Sequence, residues 1–375
     1  MNLPPFTLER WFARYEFEVD INLCASCAPA TSTDDILSLA GEQAREDYLH
    51  LGLDYIPNPG TGELRRQVAG LYHDLDEEYI QVTTGASEAI FLLMNCLFSN
   101  GDNIIVQQPA YQSLYAVAGA AGVQIKAWPL QGEEKLYMDP DALKGLIDSR
   151  TRAVVVNNPH NPTGYIMSRQ EMDRLVEVVE HCGLWLISDE VYRGIIYNPP
   201  DELPAAIDLT PRAICTGDMT KPYGLGGLRT GWLAVRDKQL LSACGAMRDY
   251  TTMCNAAPAE FLAVLALQHR RELLEKKLAV AKENLARLAD FMNERPGLLS
   301  YIPPRGGFTV FPRYHQPVDS TTFCRGLVER KSVLLLPGAV FSRENHFRLG
   351  LGVEPAVFRR GLELFGDYLA ESDYS

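Results

Sequence analysis

The sequence predicts an α/β protein with a large domain, in which a mainly parallel sheet lies between helices, and a smaller α+β domain. Three observations carry this expectation. Seven short apolar runs bounded by turn residues occupy the middle of the chain, helical patterns separate several of them, and beyond residue 258 the pattern changes to one long helix followed by short strand-like pieces. Alternation of this kind is what a parallel sheet covered by helices produces.

In chain order, the buried strands are expected at "YIQVTTG", "NIIVQQPAY", "VQIKAWPL", "AVVVNNPHN", "LWLISDEVY", "AICTGD" and "GWLAV". Helices are expected over residues 87–98 and in "SRQEMDRLVEVVEHCG", where a serine is followed three places later by glutamate, as in a capping box. From residue 258 to about residue 294 a single long helix is expected as a bridge. After it come "GGFTVFPRY", "VLLLPG", "HFRLGLG" and a final helix. The boundaries drawn are an N-terminal arm with part of the small domain at 1–45, a large domain at 46–280 and a small C-terminal domain at 281–375.

With 375 residues, 46% of them hydrophobic, the chain can bury a sizeable core. A net charge of −13 argues against a nucleic-acid partner, which requires basic clusters. No stretch approaches the roughly 20 apolar residues of a membrane span. The start "MNLPPFTLERWF" lacks the basic end and apolar run of a signal peptide, so a cytoplasmic protein is expected. The eight cysteines are scattered, with only Cys24 and Cys27 close together, and they read as buried or incidental thiols with no metal site.

In open α/β sheets, ligands sit beyond the carboxyl ends of the strands. After "YIQVTT" comes Gly85-Ala86-Ser87, a glycine turn opening a helix whose N–H groups suit a phosphate. After "AVVV", Asn161 stands in "NNPHNPTG", either as a ligand group or as part of a plain loop. Asp189 directly follows "LWLIS", where a carboxylate is costly unless a cation, a helix cap or an internal salt bridge satisfies it. In "TGDMTKPYGLGGLRTGW", Lys221 is followed by glycines at three, five and six places and by Arg229 at eight, a pattern that a surface lysine does not need.

Taken together these motifs resemble the fold-type I, pyridoxal-phosphate-dependent enzymes of the class I/II aminotransferase family, from about residue 20 to residue 365. The resemblance implies that Lys221 carries the cofactor, Asp189 pairs with its pyridine nitrogen, and Asn161 and Tyr192 bond its ring hydroxyl. Tyr111, in "PAYQSLY", is implied to stack on the ring. Ala86, Ser87 and Arg229 would hold the phosphate, and Tyr55 would reach the phosphate of a neighbouring subunit, which implies a homodimer. Arg348, in "HFRLGLG", matches the arginine that grips the substrate α-carboxylate. One departure stands out: the family's serine three residues before the lysine is Asp218 here. Two anions side by side repel in a dry site, so Asp218 either points away or binds something cationic.

The segments "LERWFARYEFEVDINL", "MRDYTTMCNAAPAE" and "PPRGGFTVFPRY" resemble capreomycidine synthases and the enduracididine-forming hydroxyarginine cyclases of guanitoxin biosynthesis. That resemblance implies an arginine-derived amino acid as substrate. Its guanidinium needs an acidic or carbonyl-rich pocket, for which Glu9 and Asp218 are candidates. Their plain alternatives are a solvated helix residue and a turn carboxylate. Transamination of an L-amino acid to a 2-oxo acid would use the same residues. An aminotransferase-like binding domain would need a DNA-binding extension, and a nicotinamide dehydrogenase would need a G-x-G-x-x-G after the first strand.

Overall fold

The computed structural model of the chain describes residues 2–371. All seven apolar runs become strands of one sheet: β1 (Ile80–Thr83), β2 (Asn103–Gln108), β3 (Gln124–Pro129), β4 (Thr151–Asn157), β5 (Trp185–Asp189), β6 (Ala213–Asp218) and β7 (Gly231–Val235). Their spatial order is β1-β7-β6-β5-β4-β2-β3. Every pairing is parallel except those of β7, which runs antiparallel to both β1 and β6. The reversed strand matters for the site. Its N-terminal end lies at the edge where the parallel strands finish, with Gly231 level with Thr83 on one side and Asp218 on the other.

Two apolar clusters flank this sheet. One gathers Val154, Val156, Leu186 and Cys215 with the helices at Gly62–Ala69, Arg169–His181 and Ala257–Gln268, and the other gathers Ile104, Val155, Ile187 and Leu233 with Ala86–Leu97. The helix Arg169–His181 opens on the expected capping box, with Ser168 and Glu171 bonded reciprocally. The helix expected over 87–98 spans Ala86–Leu97.

The long helix expected after residue 258 is two helices, Ala257–Gln268 and Arg270–Asn293, broken at His269. The first is apolar nearly all round, with Leu262, Ala263, Val264, Ala266 and Leu267 buried against the sheet-side cluster. The second buries a narrower stripe through Ala281, Leu288 and Phe291. The break separates a helix buried in the sheet-side cluster from one that reaches the C-terminal cluster.

A third cluster joins residues 21–28 to the C-terminal part of the chain, among them Leu23, Phe308, Phe323, Phe347 and Phe358. There Ile21–Asn22 pairs parallel with Val333–Leu334, and Phe347–Gly350 lies between Thr309–Val310 and Leu336–Pro337. The N-terminal helix Thr7–Tyr15 covers a smaller cluster of Leu8, Tyr15, Cys24, Leu336 and Phe341. The eight cysteines are free thiols.

The stretch from Leu23 to Thr31 is fastened on both sides. Leu23 N donates to Leu334 O, Gly350 N to Leu23 O, Ala28 N to Lys221 O and Thr31 N to Gly224 O. The fit is close: a Cβ on Gly224, whose φ is +68°, would stand 2.0 Å from the Pro29 carbonyl oxygen. We therefore expect Gly224→Ala to cost roughly 1–3 kcal/mol in urea denaturation, through strain at positive φ and the displaced strap. Unchanged stability would show that this crossing is not a constraint.

Candidate active site

The carboxyl ends of β1, β2, β4, β5 and β6 deliver the expected residues to one edge of the sheet. Asp189 ends β5 and is buried, with neutral donors: Thr216 Oγ1 at 2.9 Å on Oδ1 and Asn157 Nδ2 at 3.3 Å on Oδ2. Register explains both contacts, because Asn157 and Thr216 are its neighbours on β4 and β6. Burial pushes the Asp189 carboxyl up to about 7, against the pull of Thr216, and Asp218 raises it further while Lys221 lowers it. A carboxylate so placed gains from a cation brought against it.

Lys221 follows β6 on the short helix Thr220–Tyr223, and its Nζ donates to Ser26 Oγ at 3.2 Å. Burial works against its ammonium, yet Tyr192, Cys27 and Asp218 together outweigh burial and hold its pKa above the ordinary lysine value. Asp218 resolves the departure noted in the sequence. Its Oδ1 accepts from the backbone N–H of Thr220 at 2.9 Å and of Lys221 at 3.1 Å, so it caps the lysine turn. Burial still raises its pKa, opposed by Lys221 and Arg229.

Arg229 sits at φ +50°, just before β7, with its guanidinium over the glycine turn after β1. A Cβ on Gly85 would lie 2.5 Å from Arg229 Nη2. The same turn opens the helix Ala86–Leu97, with Ala86 buried and Ser87 exposed. Arg348 is 1% exposed and donates from Nη1 to Asn161 Oδ1 at 3.2 Å and from Nη2 to the Cys24 carbonyl at 2.8 Å. Phe12 and Phe341 face its guanidinium at 5.9 and 5.8 Å from their ring centres. The turn carrying Asn161 is braced by buried His160, whose ring bonds Thr163 Oγ1 and the Pro109 carbonyl; burial lowers its pKa to about 4, so it is neutral.

Tyr111 Oη donates to Glu9 Oε1 at 3.3 Å, and its ring meets Phe6 at 5.1 Å. The exposed Glu9 is thus brought to the sheet edge by the N-terminal helix. Glu16, one residue past that helix, was not expected from the sequence; burial and Glu9 raise its pKa, and Lys221 lowers it. Tyr55 is 85% exposed and stands apart from this group within the single chain. Ser26, Asn157 and Thr216 were also missed by sequence reasoning. Ser26 lies 195 positions from Lys221, and no periodicity joins them.

These residues fit pyridoxal phosphate. The Tyr192 hydroxyl and Arg348 Nε are buried without a hydrogen-bond partner in the chain, and Asp189 is a buried carboxylate answered by neutral donors. A lysine, a helix N-terminus beside an arginine, and that carboxylate match the aldehyde, phosphate and pyridine of the group. Among the described residues no cluster of histidine, cysteine and carboxylate side chains could hold a metal ion, and no helix is long and apolar enough to cross a membrane.

Comparison with known proteins agrees. The family model described as aminotransferase class I and II matches residues 20–365. Capreomycidine synthase of Streptomyces vinaceus is 31% identical over 375 residues, covering 98% of this chain and 94% of its own. Among solved structures, the pyridoxal-phosphate-dependent cyclase OrfR superposes with a TM-score of 0.91 at 32% identity, covering 99% of this chain and 98% of that one. A pyridoxal-phosphate-dependent aminotransferase from Streptococcus suis 89-1591 gives 0.94 at 31%, covering 100% and 99%.

The Asp189 environment predicts a pH dependence. Its folded value of about 7 lies above the ordinary 3.8, so without cofactor the native state holds this proton more tightly than the unfolded chain. The associated stability is present at low pH and lost as pH rises through about 7. In cofactor-stripped protein, Asp189→Asn should gain Tm relative to the parent chain between about pH 5 and about pH 8, as read by calorimetry. A difference in Tm that does not move with pH would contradict the environment described.

Proposed function

This chain belongs to the class I and II aminotransferase family and takes pyridoxal phosphate as its cofactor, and from that premise we propose that it cyclises a hydroxylated L-arginine to a cyclic guanidine amino acid such as enduracididine or capreomycidine. The observation that carries this reading is the acidic margin of the site. The N-terminal helix sets Glu9 on the Tyr111 hydroxyl, and Glu16 follows within the field of Lys221. A substrate bearing both a carboxylate and a guanidinium matches a site that holds a buried arginine, Arg348, together with the carboxylates of Glu9 and Glu16. The whole-length likeness to a capreomycidine synthase and to a cyclase supports it.

In this mechanism Lys221, Asp189, Asn161, Tyr192, Tyr111, Ala86, Ser87 and Arg229 hold the cofactor, which when bound supplies an electron sink for charge developing at the substrate α-carbon. Arg348 grips the α-carboxylate and sets the C–H bond toward Lys221. Lys221 Nζ takes the α-proton. With a hydroxyl on Cβ, water then leaves and a guanidine nitrogen bonds to Cβ; with a hydroxyl on Cγ, a β-proton is lost first and the ring closes at Cγ. Glu9 orients the guanidinium throughout. The amino nitrogen stays on the product.

We place the enzyme in the cytoplasm as a homodimer with shared sites. Exposed Tyr55 and its apolar neighbour Leu53, 85% and 82% exposed, support a surface covered by a second copy. The alternative, transamination to a 2-oxo acid, uses the same cofactor residues and is supported by the family. Incubating the enzyme with β- and with γ-hydroxyarginine, no 2-oxo acid added, separates the two by mass spectrometry. We expect loss of one water with the amino nitrogen retained, and a fall of about 10²–10⁴-fold in Lys221→Ala. Turnover that begins only when a 2-oxo acid is added would replace cyclisation by transamination.

A further inference from the structure

Ser26 touches the amine on which the chemistry turns, and the mechanism above gives it no task. Its oxygen accepts from Lys221 Nζ at 3.2 Å, and its own O–H, beside the Tyr192 phenol, is the group that can donate. The residue is half-buried beside Tyr192, whose phenol its hydroxyl influences.

Its position is also tightly fixed. Two residues before it, the Cys24 carbonyl accepts from Arg348, and two residues after it, Ala28 N–H donates to the Lys221 carbonyl. On the other side, a Cβ on Gly350 would lie 1.9 Å from the Ala25 carbonyl oxygen, and one on Gly352 would lie 1.9 Å from that of Cys27. The backbone on both sides of Ser26 is therefore wedged against glycines. A side chain held in this way can be placed with the accuracy that proton transfer requires.

Resting on the cyclase reading, we infer that Ser26 is a catalytic hydroxyl that passes the proton taken up by Lys221 to the departing hydroxyl of the substrate. A single amine has to reach both a carbon-bound hydrogen and an oxygen on a neighbouring carbon. One hydroxyl in between extends its reach by a hydrogen bond, about 2.7–2.8 Å between oxygens. The balance is closed. With a γ-hydroxyl, Lys221 first gives the α-proton up to solvent. In either case Lys221 Nζ then takes the proton from the carbon next to the one bearing the hydroxyl, and the electron pair of that C–H bond moves into a new carbon–carbon double bond as the C–O bond breaks. Nζ returns its proton to Ser26 Oγ while Ser26 gives its own to the leaving oxygen. Water departs, Ser26 is again a hydroxyl and Lys221 a free amine, and no oxidant or reductant is used. The raised affinity of Lys221 for a proton suits a group that holds one between the two transfers.

The test compares the cofactor-loaded parent enzyme with Ser26→Ala and Ser26→Thr in heavy water, with β- and γ-hydroxyarginine. Deuterium entering at the α-carbon of recovered substrate reports Lys221, and released product reports dehydration. Visible titration of cofactor uptake and the Tm of each variant report the fold. We expect Ser26→Ala to keep parent-like cofactor uptake, Tm and α-exchange while product formation falls about 10²-fold, with Ser26→Thr recovering most of the loss. Equal losses of exchange and product, or no loss in either, would overturn the role of Ser26. A parent enzyme that exchanges the α-proton but never releases water would instead overturn the cyclase reading, and the Ser26 role with it.

Discussion

The threading of residues 23–31 between the sheet edge and the C-terminal core is the constraint on which the rest of the site depends. One strap of backbone accepts from Arg348 through Cys24, places Ser26 on Lys221 and takes a carbonyl of the lysine turn at Ala28. It also continues Ile21–Asn22, which is itself a strand partner of Val333–Leu334. The arginine comes from the C-terminal core and the lysine from the large sheet. Arg348 meets the large-sheet side through Asn161, and the strap adds the link between the arginine and the lysine.

The small residues follow from that geometry. Gly350 ends the strand that carries Arg348 and Gly352 follows it, Gly224 closes the lysine turn, and at each a Cβ would fall within 2.0 Å of a strap carbonyl oxygen. Of the three glycines after Lys221, Gly224 accommodates protein backbone and a Cβ on Gly226 would meet Thr220 Cγ2 at 3.2 Å, whereas one on Gly227 would meet nothing within 4 Å. Gly85, in the turn after β1, is crowded by the guanidinium of Arg229. Closeness is the requirement at Gly224 and Gly85.

Strands were legible because a parallel sheet buried on both faces writes its strands as short apolar runs ended by turn residues. The capping box at Ser168 was legible for a similarly local reason. The break at His269 was not, since neither glycine nor proline marks it and both halves favour a helix; only the different cores that the halves face require it. Asp189 could be singled out from its cost after an apolar run. Its partners Asn157 and Thr216 depend on register between strands, which the sequence does not carry locally. Arg348 entered through resemblance, and Ser26 could not enter at all, because its contact closes over 195 positions.

Charge placement explains how Asp218 can stand where a phosphate-binding serine is expected from the family. Its carboxylate is directed at the backbone N–H groups of Thr220 and Lys221, so its charge is spent on fixing the turn that presents the lysine. Arg229, two residues before the Gly231 that pairs with Asp218, lowers the cost of burying it. An anion held by two backbone dipoles and a nearby guanidinium repels a phosphate far less than an unpaired one would. It also adds to the field that keeps Lys221 protonated and raises Asp189. Serine at the same place would offer a hydrogen bond without that field. Asp218 thus acts on the proton affinity of both Lys221 and Asp189 besides fixing the turn.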